Sequence, residues 1–221
     1  MAILFDLDGT LVDTAPDLLA TLNTVLRELG RDPVPMNQVG YLVGHGARAM
    51  IDRAMGLTGE AATEAELDAL LARFLEIYAT RIADESRPYD GVRAALEALA
   101  EEGHILAVCT NKPTAMATRL LDELDMRRHF THVAGGDHYP VRKPDAGHIL
   151  RLLADVGSDP SRTVMIGDSI PDVEAARAAR VPVIAMSHGY APKPAAELGA
   201  DHVADHFAEI PDAVRSLLGR N

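Results

Sequence analysis

The hydrophobic positions fall into two regimes along the chain. From residue 14 to about residue 87 they recur at three- and four-residue steps, the period of amphipathic helices. Leu18, Leu19, Leu22, Val25, Leu26 and Leu29 predict a helix over residues 16–30, with Pro16 suited to its first turn and Gly30 to its end. The R-D-P-V-P segment at 31–35 breaks the chain. A short helix is expected at 36–42, then the turn V-G-H-G-A-R at 43–48 and a helix running on to Met55. A longer helix over 63–82 carries Leu67, Leu70, Leu71, Phe74, Leu75 and Tyr78 on one face, and Thr63 with Glu66 has the spacing of a capping box. This stretch contains no strand pattern.

Outside that block, short apolar runs alternate with helical patterns. Strands are predicted at 3–5, 104–109, 131–134, 163–166, 181–186 (despite Pro182) and 201–204, and helices at 91–102, 113–124, 145–156, 172–179 and 207–218. Such alternation predicts an α/β fold, a parallel sheet covered on both faces. The expected organisation is a discontinuous sheet domain, residues 1–13 and 88–221, interrupted by an all-helical cap domain at 14–87. The two connections, near 13–16 and 86–91, form an adjacent pair suited to a hinge.

Composition narrows the function classes. Of 221 residues, 48% are hydrophobic and 24% charged, ordinary for a soluble globular protein, and the net charge is −12. That balance argues against nucleic acid or an anionic membrane surface as partner, so local cations must hold any anionic substrate. A single cysteine, Cys109, excludes an intrachain disulfide framework and fits a reducing cytoplasm. No signal peptide or membrane span is visible. The oligomeric state stays open.

Four polar segments follow predicted strands. Asp6 and Asp8 come first, in I-L-F-D-L-D-G-T-L-V-D; residues i and i+2 on a strand face one side, so both carboxylates can meet one small volume beyond its carboxyl end. Two like charges so close need a cation or a shared proton, although D-x-D is also common in turns. Thr110 and Asn111, in C-T-N-K-P, suit a helix cap or an anion site. Lys143, in V-R-K-P-D, is either solvated or aimed at the carboxylates. Asp168 stands at the tip of I-G-D-S-I-P-D, where Ser169 or Asp172 would cap the next helix; Asp168 with Asp6 could ligate Mg²⁺.

In this order, D-L-D-G-T, T-N, Lys143 and G-D-S-I-P-D resemble the four motifs of the haloacid dehalogenase-like (HAD) phosphohydrolases, over nearly the whole chain. The resemblance implies a Rossmann-like core with a helical cap inserted after the first strand, and hydrolysis of a small phosphorylated metabolite. It makes Asp6 the nucleophile, Asp8 the general acid/base, and Asp6, the Asp8 backbone carbonyl and Asp168 the Mg²⁺ ligands, with Asp172 in or near the outer shell. Thr110, Asn111 and Lys143 would hold the phosphate, and His45 and Arg48 in the cap are the candidates for a substrate carboxylate. T-N-K-P, G-G-D-x-x-P-x-R-K-P and V-G-H-G-A look most like the phosphoglycolate phosphatase branch, although Asp145 and Ala146 stand where the family often has His and Pro. Readings left open are a β-phosphoglucomutase-like mutase, pyrophosphatase, sugar-phosphate or nucleotide phosphatase, and a non-enzymatic phospho-acceptor domain. A true dehalogenase is disfavoured by the second Asp.

Overall fold

The computed structural model describes residues 1–219. A six-stranded parallel sheet forms its centre, in the order β5-β4-β1-β6-β7-β8. The strands are β1 (Ala2–Phe5), β4 (Ile105–Cys109), β5 (His132–Ala134), β6 (Thr163–Gly167), β7 (Val183–Met186) and β8 (His202–Ala204). β1 lies between β4 and β6, with Phe5 level with Val108 on one side and Ile166 on the other. The chain fills one side of β1 and then crosses to the other, so the strand order reverses around it. In open α/β sheets the crevice beyond the strand ends at such a reversal is where ligands bind.

Alternation along the strands builds a core on each face. Ile3 and Phe5 of β1 face the same way as Leu106, Val108, Val164 and Ile166, and pack under α5 (Val92–Glu101), α6 (Thr114–Glu123) and α9 (Ile210–Leu218). Ala2 and Leu4 face the other way, against α7 (Ala146–Asp155) and α8 (Ile170–Ala179). Being covered on both sides, the strands read as unbroken apolar runs. Each fully buried Leu, Ile or Phe contributes about 1.5–3 kcal/mol.

Between the short strands β2 (Val12–Asp13) and β3 (Arg87–Pro88) the regular elements are helical: α1 (Ala15–Glu28), a 3-10 turn (Met36–Gln38), α2 (Val39–Leu42), α3 (Ala47–Thr58) and α4 (Glu64–Thr80). Gly30, at φ +68°, closes α1, and Thr63 with Glu66 forms the capping box of α4. β2 and β3 pair as a two-residue antiparallel ribbon, so the chain leaves and re-enters the sheet portion side by side. Two side chains fasten this junction. The buried carboxylate of Asp17 accepts the Ser86 N–H at 2.8 Å and the Ser86 hydroxyl at 2.7 Å. The Tyr190 hydroxyl accepts the N–H groups of Thr14 and Ala15 at 2.7 and 2.9 Å and donates to Asp13 Oδ1 at 2.5 Å.

Some element boundaries differ from expectation. α3 runs past Met55 to Thr58. β7 starts at Val183 because the Val181 N–H closes the end of α8 on the Ala176 carbonyl at 2.8 Å, and Pro182 has no N–H to pair. The ribbon was not expected; two residues are too few to establish an alternating pattern.

Candidate active site

The polar segments converge at the carboxyl ends of β1, β4 and β6. Asp6 follows β1, Thr110 follows β4 and Asp168 follows β6, while Lys143 comes from the loop between β5 and α7. Lys143 is the hub. Its ammonium, 1% exposed, lies 2.6 Å from Asp172 Oδ1 and 3.0 Å from Asp6 Oδ1, and donates to the Cys109 carbonyl at 2.5 Å. The Asp6 oxygen is off line for a hydrogen bond to it, an ion pair by distance only. The lysine loop is held at its backbone: the Lys143 N–H meets His148 Nδ1 at 3.3 Å, and Asn111 Nδ2 donates to the Lys143 carbonyl at 3.0 Å.

Three buried carboxylates cluster here, and two of them, Asp6 and Asp172, pair with this one ammonium. Asp6, Asp168 and Asp172 each bring an oxygen within 4.8 Å of the others. Burial raises the Asp6 carboxyl to about 6; Lys143 opposes the rise, and Asp172 and Asp8 add to it. Burial, then Asp172 and Asp6, push Asp168 well above the usual carboxylate range. Burial alone would lower the Lys143 ammonium, yet Asp172 and Asp6 hold it above its ordinary value. The cluster is therefore short of positive charge.

The two outlying acids are engaged differently. Asp172 is committed: Oδ1 takes Lys143, and Oδ2 accepts the Ser169 hydroxyl at 2.6 Å and the N–H groups of Ser169 and Asp168 at 3.0 and 3.2 Å. Asp168 accepts the Thr10 hydroxyl on Oδ1 at 2.6 Å and the Tyr190 N–H on Oδ2 at 2.8 Å, which fixes its carboxylate beside Asp6. Gly9, at φ +84°, makes the turn that lets the loop after β1 approach; a Cβ there would come within 2.6 Å of Asp168 Oδ2. Asp6 and Asp168 supply hard oxygen donors with a deficit of positive charge, a set that fits Mg²⁺.

Asp8 opens onto a pocket between the sheet and the helices. Its floor is Asp6, Asp8, Thr110, Asn111 and Lys112, and its roof comes from α1, α3 and α4. The free space is ≈ 30 Å³, room for two or three waters at about 10–15 Å³ each, so a ligand requires the helices to lift or side chains to swing. Thr110 and Asn111 do not cap α6: its N-cap is Pro113, and the Thr114 N–H is taken by Asp137 at 2.7 Å. Both side chains are buried at the pocket floor, where Asn111 Nδ2 also reaches the Gly44 carbonyl at 3.2 Å and its Oδ1 has no partner.

The two cap candidates are not in this cluster. Arg48 sits on the side of α3 that faces α4 and pairs with Glu64 at 2.8 Å and Asp68 at 3.1 Å at the exposed surface. His45 lines a neighbouring cleft with Arg53, Ser169 and Tyr190, its Nδ1 buried without a partner. Burial, then the nearby Arg53, lower its pKa, so it favours the neutral form. Cys109 is core, its thiol pushed up to about 12 by burial.

Sequence reasoning missed four contributors. Thr10 and Lys112 are the T of D-L-D-G-T and the K of T-N-K-P, and neither motif signals the distant partner that each meets. Tyr78 read only as helix core, and Tyr190 was not singled out. Lys112 Nζ donates to Asp8 Oδ1 at 2.9 Å and to the Tyr78 hydroxyl at 2.8 Å.

A doubly wound sheet that gathers acids around a buried lysine at its reversal point, beneath a helical insertion, has close counterparts among known proteins. The family model of the haloacid dehalogenase-like hydrolases matches residues 3–186, and the chain belongs to that family. It is similar to phosphoglycolate phosphatases of Caulobacter vibrioides, at 45% identity over 98% of this chain and 91% of that protein, and Agrobacterium fabrum, at 46% over 96% and 91%. It is also similar to an N-acetylmuramic acid 6-phosphate phosphatase of Pseudomonas aeruginosa, at 37% identity over 98% of this chain and 96% of that one. The crystal structure of a predicted phosphoglycolate phosphatase from Haemophilus somnus superposes with a TM-score of 0.91 at 33% identity, covering 96% of each chain. No helix among the described residues is long and apolar enough to cross a membrane.

Proposed function

We propose that this protein is a Mg²⁺-dependent phosphatase that hydrolyses 2-phosphoglycolate to glycolate and phosphate, with residues 14–87 acting as a mobile lid. The observation that carries this reading is the Lys143 ammonium, fixed between Asp6 and Asp172 with Asp168 alongside. A phosphoryl group brought against Asp6 would meet this cation, which can neutralise its non-bridging oxygens as charge builds. The names of the similar phosphatases support the choice of substrate.

Asp6 is the nucleophile. A carboxylate oxygen forms a bond to phosphorus, the bond from phosphorus to the ester oxygen breaks, and an aspartyl-phosphate results. Asp8, two residues on and facing the pocket, gives its proton to the departing alkoxide. It then takes a proton from the water that attacks phosphorus and releases phosphate. Thr110 and the Asn111 backbone orient the phosphoryl oxygens together with Lys143. Asp6, Asp168 and the Asp8 backbone carbonyl would hold Mg²⁺, which supplies charge neutralisation at the phosphoryl group. Asp172, with both oxygens already engaged, holds Lys143 and the Asp168 loop in position. The pocket has room for only about two or three waters, so opening and closing of the helical roof would admit substrate and exclude solvent.

Phosphate release from a panel of small esters, with Mg²⁺ and with EDTA, tests this. The expected result is Mg²⁺-dependent release, fastest with 2-phosphoglycolate; no release from that ester, or release indifferent to chelation, defeats the reading. The role of Asp8 has its own signature. Asp8→Asn is expected to slow single-turnover cleavage of alkyl phosphates by roughly 10²–10⁴-fold. It should slow p-nitrophenyl phosphate far less, because that leaving group departs without a proton. Equal losses on both esters would remove the acid role.

A further inference from the structure

The wall of the pocket holds a feature that the chemistry at phosphorus does not use. Among the described residues lining it, Lys112 is the one cation; Lys143 is not in the lining. Lys112 comes from the sheet portion and is buried, and its ammonium donates to Asp8 and to the hydroxyl of Tyr78 on α4. It also lies 4.5 Å from the Tyr78 ring centroid, within cation–π range. Burial opposes its charge, yet Asp8 and Tyr78 hold its pKa above the ordinary value. Burial pushes the Tyr78 hydroxyl up to about 12, so it stays protonated and able to donate.

The rest of the roof is apolar: Leu18, Val43, Met50, Phe74 and Leu75. A leaving group rich in hydroxyls would strand them unpaired there, at a cost. Among the described residues lining the pocket, Lys112 and Tyr78 are the polar side chains that meet beside Asp8. The ester oxygen that Asp8 protonates must lie one hydrogen bond from Asp8, and Lys112 Nζ is only 2.9 Å from the same carboxylate. A group attached one carbon beyond the ester oxygen is therefore within reach of the ammonium.

We infer that Lys112 and Tyr78 form a carboxylate-binding subsite, one group from the sheet portion and one from the helical insertion, which selects phosphate monoesters of short 2-hydroxy acids. The inference rests on the proposed function and deepens it. Without ligand, Asp8 fills the place of the substrate carboxylate and ties the Tyr78 hydroxyl down through Lys112. When substrate enters, its carboxylate takes the ammonium and the hydroxyl proton, and the same two groups close the roof over it. Arg48, spent on Glu64 and Asp68, is not needed for this task.

The test compares kcat/KM for 2-phosphoglycolate with that for its neutral isostere 2-phosphoglycolamide. The wild type is expected to prefer the acid by roughly 10–100-fold, the scale of a hydrogen bond to a charged group. In Lys112→Met that preference should collapse towards unity, and Lys112→Arg should retain part of it. Tyr78→Phe, which keeps the ring packing, should cut the preference by roughly 2–10-fold. A lysine serving only the fold or Asp8 would slow both esters alike and leave the ratio unmoved. Should Lys112→Met fail to fold by circular dichroism, the Tyr78→Phe and Lys112→Arg ratios decide: a ratio unchanged in both overturns the subsite. A folded Lys112→Met that still prefers the acid as wild type does also overturns it, and would assign the anion to the backbone N–H groups at the start of α3. A wild type that hydrolyses both esters equally overturns the subsite alone, whereas no release from 2-phosphoglycolate overturns the proposed function.

Discussion

Replacing Asp6 by asparagine is expected to cut turnover by roughly 10⁴-fold or more while making the metal-free protein more stable near neutral pH. The first effect has the scale seen when a covalent nucleophile is removed. The second follows from crowding. The carboxyl is buried, and burial with Asp172 and Asp8 outweighs Lys143, raising its pKa from 3.8 to about 6. The folded protein therefore keeps a proton on Asp6 at pH values where the unfolded chain has lost it. Stability falls as pH climbs from about 4 to about 6, and above that the full penalty remains. Asparagine mimics the protonated group and escapes the penalty.

Denaturant titrations of both proteins in EDTA compare the cluster with and without this acid, including its effect on Asp168 and Lys143. The variant should match wild type below about pH 4 and gain about 2–3 kcal/mol on it by pH 7. Excess Mg²⁺ should close the gap by binding the wild-type site. A variant less stable than wild type at pH 7 would refute the crowding account, and wild-type turnover would refute the nucleophile.

Lys143→Met carries the largest structural penalty. It leaves Asp6 and Asp172 without their ammonium in a site that both hold almost free of solvent. Removing one partner of a buried ion pair costs roughly 3–5 kcal/mol. Turnover should fall by about 10³-fold, the scale of losing a preorganised contact to a transition-state oxygen. A double variant separates the two consequences. Lys143→Met with Asp172→Asn deletes the most tightly paired partner too, so thermal melts should recover much of the lost stability. Phosphate release should not recover, because the ammonium held against Asp6 is gone in both variants. Restored turnover in the double variant would make the lysine a structural counter-ion only.

The site was legible in the sequence to the extent that its parts are local. Asp6 and Asp168 follow apolar runs directly or after one glycine, with Asp8 two residues beyond Asp6, and a strand that stops at a carboxylate delivers it to one edge of a parallel sheet whatever the pairing register. Lys143 could be aimed because Pro144 and the following helix constrain its loop. Contacts between distant segments were not legible. Thr10 meets Asp168 across 158 positions of sequence, and nothing in either segment encodes that meeting. Lys112 reads as an ordinary lysine before a helix, and Tyr78 as one more apolar position on α4, until the fold sets them 2.8 Å apart. Arg48 lies apart from the cluster for the opposite reason. Its glycine-flanked neighbourhood suggested a ligand, yet the orientation of α3 turns it to Glu64 and Asp68, which only packing against α4 decides.

The ribbon of β2 and β3 bears on how such a molecule can diversify. Val12 pairs with Pro88 and Asp13 with Arg87, so the helical excursion begins and ends at neighbouring residues. Grafting a different insertion between those points would leave every strand register and all the acid-bearing loops intact. On the proposed reading, a different insertion at these points would change which molecules are accepted and keep the acids that cleave them.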